Sequence, residues 1–290
     1  PRDRPELHGQ HLQHSRHLGR DGVGSSVVRA TGNPAIRHLG DVRSHADGDP
    51  VRLTGWYLTQ PAVMANVEHE GGLLTLRTTL NFEGVTQRDG ALAYGGWGEG
   101  FIDKRHPHTL LHEFMLSFNS WNVSGADFSL SAGKGFAPYG TDDPMARPGL
   151  KYPTNHHLSQ ILERWTVNAV LLKGGWSVEA GIFGGTEPVG PYDFSNIESF
   201  GDSWSVRLAR RWGSGFGPMA EWETSISSAQ VVASHDGEDH ATRLWNLAVR
   251  HSGMVGNGTL YGLAEASRSE PDTYEGHFSV LGEVRWDRGG

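Results

Sequence analysis

Cysteine is absent from the 290 residues of this chain, which excludes disulfide scaffolds, cysteine zinc sites, thiol enzymes and haem attachment through thioethers. Long apolar runs are also missing, since the longest that we find is Ala169–Leu172, and a membrane helix needs about 18 such residues. The chain also has no excess of positive charge, because it contains 25 Lys and Arg and 33 Asp and Glu, which give a formal net charge of −8. We therefore expect no helical membrane span and no nucleic-acid partner.

Aromatic residues are absent from residues 1–50, although the whole chain has 11 Phe, 10 Trp and 7 Tyr. This segment contains six of the 16 His, and its seven Arg slightly outnumber its six acidic residues. It offers too little apolar surface to offset its ordering entropy, so we expect an irregular leader rich in His, Arg and Gly. The spacing of His8, His11, His14 and His17 also suits a metal-binding tract. The chain starts with Pro1 and without a secretion signal, so we expect the natural N terminus to lie upstream.

A two-residue alternation of polar and apolar side chains begins at Val51. Short connections that contain Gly alternate with long ones over 83–109, 137–160, 185–202 and 232–240. This arrangement predicts an antiparallel up-and-down sheet with one elaborated end. The predicted strands are Val51–Leu58, Ala62–Glu68, Leu73–Phe82, Leu110–Phe118, Phe128–Phe136, Ile161–Leu172, Trp176–Gly184, Ser203–Trp212, Ala220–Val231, Thr242–His251, Thr259–Ser267 and His277–Trp286.

The apolar face of these strands favours a membrane-embedded sheet. Three strands carry two aromatic residues eight positions apart on that face. In a tilted strand, eight residues rise roughly 19–22 Å along the barrel axis, which is near the ~25 Å height of the apolar band of outer-membrane barrels. Lys134 and Arg210 interrupt the face near one end, where they could reach lipid headgroups but would fit a soluble core poorly. We predict an all-β, antiparallel, up-and-down transmembrane β-barrel of about 12 or more strands over residues 51–290. The aromatic pairs are Trp204/Trp212, Phe278/Trp286 and Phe128/Phe136.

Several motifs occur in a recognisable order between residues 97 and 212. Asp103-Lys-Arg-His-Pro-His108 opens a strand, a later loop carries Pro144 and His156-His157, and Asp202–Leu208 follows. The motifs and their order resemble those of an uncharacterised family of bacterial outer-membrane, porin-like β-barrel proteins. The resemblance implies a membrane barrel in the outer membrane and no particular activity. Such barrels usually end on an aromatic closing strand, whereas this chain ends at Arg288-Gly289-Gly290, so completeness at the C terminus stays open.

The function that we expect is a porin-like passive channel for small ions or polar solutes, embedded in a lipid bilayer. A lumen of about 12 to 16 strands admits water or small solutes unless loops fill it, and the proline-rich loop 137–160 is a candidate plug or constriction. Charges of both signs across the lumen would sort solutes, and the alternative for each of them is an ordinary hydrated face. Alternation places the following candidates on the pore-lining face: Glu179, Arg207, Arg211, Glu221, Glu223, Arg250, Glu283 and Arg285.

Histidines form a second candidate site. His106, His108 and His112 lie within seven residues, and the pair His156-His157 lies in the next long loop. Three imidazoles with a nearby carboxylate would suit a divalent metal such as Zn, Cu or Ni. Alternatively, these imidazoles bond loop carbonyls at a strand entry. Two alternatives therefore stay open for these histidines, a bound divalent metal or no cofactor.

Two function classes remain from the sequence. The first is the passive barrel, and the second is a soluble secreted β-sandwich or barrel that binds carbohydrate or metal through exposed Trp and His. We expect no enzyme, because the G-x-S-x-G, P-loop and H-E-x-x-H motifs are absent. The two classes differ in where the Trp-, Val- and Leu-rich face points, which is either toward lipid or into a dry core. The transported solute and the oligomeric state are not predicted.

Overall fold

The computed structural model describes residues 26–42, 51–82, 109–141, 158, 160–188, 192–193, 197, 199–213, 221–235 and 238–288, with side chains from Ala62 onward. It contains twelve β-strands and one short 3-10 turn, Glu70–Gly72. The strands are β1 (Ser26–Val42), β2 (Val51–His69), β3 (Leu74–Asn81), β4 (Leu111–Val123), β5 (Ala126–Gly135), β6 (Arg164–Lys173), β7 (Trp176–Phe183), β8 (Ser203–Gly213), β9 (Glu221–His235), β10 (Glu238–Val255), β11 (Gly258–Pro271) and β12 (His277–Arg288).

All twelve strands belong to one sheet, in which each strand pairs with its neighbour in sequence. Every pairing is antiparallel, as for β7 with β8 and for β9 with β10. The predicted all-β, up-and-down architecture is therefore confirmed. No helix among the described residues is long and apolar enough to cross a membrane.

The two ends of the sheet differ in the length of their connections. Tight turns at 124–125, 174–175 and 256–257 join strands at one end, which we call the short-turn end. The connections 82–110, 136–163 and 184–202 lie at the other end, which we call the long-loop end. Glycines at the turn after β6 have positive φ, +56° at Gly174 and +83° at Gly175, which a two-residue hairpin of this kind requires.

Side chains alternate between the two faces of the sheet along most of the strands. Along β7 and β8, exposed Val178, Trp204 and Leu208 face outward, whereas buried Glu179 and Arg207 face inward. The connection after β5 contacts β8, β9 and β11 from the inward side. The sheet therefore curves around this connection as a barrel, with its polar face inside and its apolar face outside.

The N-terminal boundary of the barrel differs from our expectation. Residues 26–42 form β1, which pairs with β2 along most of its length, so the strand-forming part begins inside the segment expected to be irregular. The two predicted strands Val51–Leu58 and Ala62–Glu68 are also one strand, β2. They join at a bulge where Gly32 of β1 opposes Gln60 and Pro61, and bulges are among the few places where a sheet tolerates proline. Backbone pairing with a neighbour decides both features.

Two other predictions were wrong. The expected long connection 232–240 is instead a continuation of β9 and β10, because those strands stay paired as far as His235 and Glu238. Lys134 was expected on the outward face, but its side chain is buried inside at 1% exposure. Gly133 has φ +144°, and this conformation shifts the alternation of β5, which also leaves Phe136 in edge-on contact with buried His112.

Candidate channel interior

The barrel interior is polar. Among the described residues, 30 polar or charged side chains are buried, against 12 hydrophobic ones. Serine and asparagine pair across neighbouring strands, as in Ser117 with Ser131 at 2.8 Å and Asn246 with Ser267 at 2.9 Å. Such hydrogen bonds offset the cost of removing each group from water, so the interior is held together by polar contacts.

Arg207 is the centre of a charged ladder across this interior. Its Nη1 donates to Glu179 Oε1 at 2.7 Å, and its Nη2 donates to Glu223 Oε1 at 2.6 Å. Glu179 lies directly opposite Arg207 in the register of β7 and β8. Because Arg207 and Glu179 are both almost fully buried, each carboxylate compensates a charge that would otherwise be costly to bury.

Two further arginines extend the ladder around Glu223. Arg211 Nε lies 3.2 Å from Glu223 Oε2, and Arg250 Nη2 lies at the same distance from that oxygen. Glu221 contacts Arg211 more loosely at 3.5 Å and is partly exposed near the short-turn end. Six of the predicted pore-lining residues therefore meet in one network of three arginines and three glutamates, which is formally neutral.

The segment Phe136–Thr141, which we call the inward segment, crosses this interior. Gly140 donates its N–H to Ser227 Oγ at 2.8 Å and accepts a hydrogen bond from Arg207 Nε at 2.9 Å. The Thr141 hydroxyl donates to Glu265 on β11. Arg207 is the fifth residue of the eleven-residue β8, so the segment reaches about the middle of the barrel wall. The first residues of loop 137–160, the loop expected to be a plug or constriction, thus lie inside the barrel.

Packing fixes the inward segment on its other side. Tyr139 is fully buried and packs with Phe183 and Ile161. Burial raises the pKa of the Tyr139 phenol, and Glu265 raises it further, so this hydroxyl stays neutral and donates to Leu158 O at 3.1 Å.

A cavity of about 10 Å³ lies next to the inward segment and is lined by Thr141, Glu223, Ser225, Ala248 and Arg250. A cavity of this size holds about one water molecule. This cavity borders the charged ladder, because Glu223 and Arg250 belong to both.

A second polar cluster joins the bases of the long connections, and sequence reasoning missed it. Glu163 accepts from the Thr109 N–H at 2.8 Å and lies 2.8 Å from His112 Nδ1, while Lys134 Nζ donates to the Thr109 hydroxyl at 2.6 Å. Glu163 has φ +54°, an uncommon backbone conformation for a non-glycine residue. These residues are distant in sequence, and the inward turn of Lys134 depends on the backbone at Gly133.

The remaining predicted site residues are more dispersed. Glu283 is buried on the inward side of β12, but Arg285 is exposed and pairs with Asp287 at 2.8 Å near the short-turn end. Arg285 therefore lies outside the charged ladder. Of the predicted metal ligands, His112 contacts Glu163, and His106, His108, His156 and His157 lie outside the described residues. Within the described ranges, no group of three or more His, Asp or Glu is arranged to hold a metal ion.

Comparisons with known proteins add one structural likeness. No protein-family model matches the chain, and no curated protein matches it. Three chains among solved structures match it. One is OmpT (in-vitro folded), an outer membrane protein of Vibrio cholerae in its trimer form, which is 11% identical with a TM-score of 0.41 over 90% of this chain and 82% of that chain. A likeness this distant carries no argument about function.

Proposed function

We propose that this chain is an outer-membrane β-barrel that forms a narrow, passive channel for small ions or polar solutes. The observation that carries the proposal is the inverted polarity of the sheet. Outward-facing Trp204, Leu208 and Trp286 are 41%, 41% and 51% exposed, whereas inward-facing Glu179 and Arg207 are 1% and 3% exposed. In water the outward surface would favour aggregation, but lipid acyl chains match it, and paired strands satisfy their own backbone groups in a bilayer.

The two ends of the barrel support the membrane orientation. Trp204 and Phe278 lie near the long-loop end, and Trp212 and Trp286 lie near the short-turn end, all exposed on the outward face. Aromatic side chains favour the two interfaces of a bilayer. Short turns on one side and long loops on the other are typical of bacterial outer-membrane barrels, whose long loops are extracellular.

The proposed conduction route passes the inward segment and the charged ladder. A solute there meets the partly exposed side chains of Arg211, Arg250 and Glu221, which border the buried carboxylate of Glu223. Charges of both signs in a narrow lumen offer weak, multiple contacts to ions of either sign. We expect low conductance without chemical change of the solute, so the proposal assigns no enzymatic step.

Of the soluble alternatives, the β-sandwich conflicts with the architecture. A β-sandwich needs two sheets that pack apolar faces together, whereas this chain forms one sheet with a polar inner face. Its exposed tryptophans are spread around the outward face and at both ends, and several lie beside exposed Val or Leu. This distribution favours lipid as the partner of the outward face.

Reconstitution tests the proposal. The chain is refolded in detergent, checked for heat-modifiable migration on a gel, and added to planar lipid bilayers in KCl. We expect small, discrete conductance steps. The double variant Thr141→Val and Ser227→Ala removes two anchors of the inward segment and should raise the mean conductance, whereas Ser228→Ala, at the adjacent outward-facing position of β9, should not. A chain that stays soluble without detergent would contradict the membrane location, and a barrel that inserts but conducts in neither form would contradict the channel.

A further inference from the structure

The short-turn end carries an arginine that the channel interior does not use. Arg210 lies on the outward face of β8, directly opposite Trp176 of β7 and three residues before the strand ends at Gly213. Its guanidinium carbon lies 5.1 Å from the centre of the Trp176 ring and 5.4 Å from that of Trp212. A cation at these distances is attracted by the ring faces, so two indoles flank the charge.

The backbone beside Arg210 holds this charge in place. Arg210 Nη1 donates to the carbonyl of Gly174 in the turn between β6 and β7. A Cβ atom at Gly175 would lie 3.2 Å from Nη1 and 3.1 Å from the carbonyl oxygen of Arg211. The position therefore favours glycine for space as well as for its φ of +83°. A guanidinium held in this way is pre-organised for a ligand, because little rotamer entropy remains to be lost.

The charge of Arg210 has no acidic partner among the described residues, since its contacts there are the Gly174 carbonyl and the two indoles. The neighbouring outward position on β9 is Thr224, a neutral hydroxyl that accepts from Trp212 Nε1 at 3.3 Å. The exposed Lys173 precedes the same turn and adds a second positive charge nearby. The surroundings are therefore cationic and aromatic, with no described carboxylate to neutralise them.

We propose that Arg210, Trp176 and Trp212 form a binding site for the phosphate of a membrane phospholipid at the short-turn end. The proposal rests on the proposed function, because it needs the outward face to lie in a bilayer. A guanidinium can bind phosphate oxygens through paired N–H donors, and Trp rings favour the headgroup level. Arg210 lies two positions inside Trp212, so a lipid phosphate above it would place the acyl chains along Val178 and Leu208 on the same outward face.

Lipid binding by the full chain in detergent tests this site. Native mass spectrometry counts bound dioleoyl phosphatidylglycerol and, separately, dioleoylglycerol, which has the same acyl chains but no phosphate. We expect the wild type to retain the phospholipid preferentially. Arg210→Gln should lower phospholipid retention about tenfold, the scale of one lost charge-assisted hydrogen bond, and should leave dioleoylglycerol retention unchanged.

Arg268 provides a matched control. It is also an outward-facing arginine, on β11, but its Nε lies 2.7 Å from Glu270 Oε1 and its side chain is 62% exposed. Arg268→Gln should therefore leave phospholipid retention at the wild-type level. Equal losses in both variants would overturn the proposal, since they would indicate a general effect of positive charge.

Two further measurements distinguish a lipid site from a site for a free anion, and failure of the lipid site from failure of the barrel proposal. Calorimetry with inorganic phosphate should give no binding heat, and a heat that Arg210→Gln abolishes would assign the site to a free anion instead of a lipid. If the wild type inserts into vesicles and Arg210→Gln binds the phospholipid equally well, the lipid site is wrong and the barrel proposal stands. If the wild type does not insert, both proposals fail.

Discussion

Arg207 and Glu179 occupy directly opposed positions on β8 and β7, and their side chains meet inside the barrel with 2.7 Å between Nη1 and Oε1. The same guanidinium also bonds Glu223 on β9 and the carbonyl of Gly140. One side chain therefore links three strands of the wall to the inward segment. The Arg207 side chain therefore contributes both to the wall of the barrel and to the position of the inward segment.

Replacing Arg207 should destabilise the barrel more than an average substitution. Arg207→Met removes the charge that compensates the buried Glu179 carboxylate, and breaking a buried ion pair costs about 3–5 kcal/mol. Urea unfolding of the vesicle-inserted chain, followed by tryptophan fluorescence, measures the change. Arg268→Gln, at an exposed pair, should change the free energy of unfolding by less than about 1 kcal/mol. Similar small losses in both variants would contradict a structural role for the ladder.

Charge removal in the ladder should change ion selectivity in opposite directions. Glu223→Gln leaves Arg207, Arg211 and Arg250 around a neutral amide, so anions should be favoured. Arg250→Gln removes a positive charge from the same lining and should favour cations. The reversal potential in a KCl gradient reports both shifts. Shifts of the same sign, or no shift in either variant, would show that the conducted ions do not pass this ladder.

An arginine on the outward face should be costly only within the membrane band. Leu208 and Phe200 have nearly equal exposure, 41% and 42%, but Leu208 lies in the middle of β8 and Phe200 lies before the strand. Leu208→Arg should destabilise the inserted barrel by about 2–4 kcal/mol, as arginine at the bilayer midplane does. Phe200→Arg should cost about 0–1 kcal/mol. Unfolding in vesicles measures both, and equal costs would place the apolar band elsewhere.

Gly133 should not tolerate a side chain. A Cβ atom there would lie 1.9 Å from the carbonyl oxygen of Phe114, and its φ of +144° disfavours other residues. Gly133→Ala should lower the free energy of unfolding by at least about 1–3 kcal/mol, the usual scale of such backbone strain. Gly282→Ala on β12 is the control, because nothing lies within 4 Å of its Cβ position. A stable Gly133→Ala barrel would contradict the shift in alternation that turns Lys134 inward.

Most of the wall could be predicted from the sequence because strand side chains alternate with period two. Eight residues, Ser203–Arg210, were enough to separate an apolar face with Trp204 and Leu208 from a polar face with Arg207. The same pattern placed Glu179 and Glu223 on the inward side without any knowledge of their partners. Local patterning therefore determined the fold class and the polarity of each face.

The partners of those residues were decided by the tertiary structure. Register between strands brings Glu223 to Arg207 and Arg250, and no local pattern encodes that register. The contact of Gly140 with Ser227 joins positions 87 residues apart, and the inward turn of Lys134 follows from one backbone angle at Gly133. The sequence by itself determined which side of most strands is wet, because along a regular strand that depends on neighbouring residues alone. Only the tertiary arrangement of the strands decided which charges meet inside, because cross-strand contacts depend on how distant segments align.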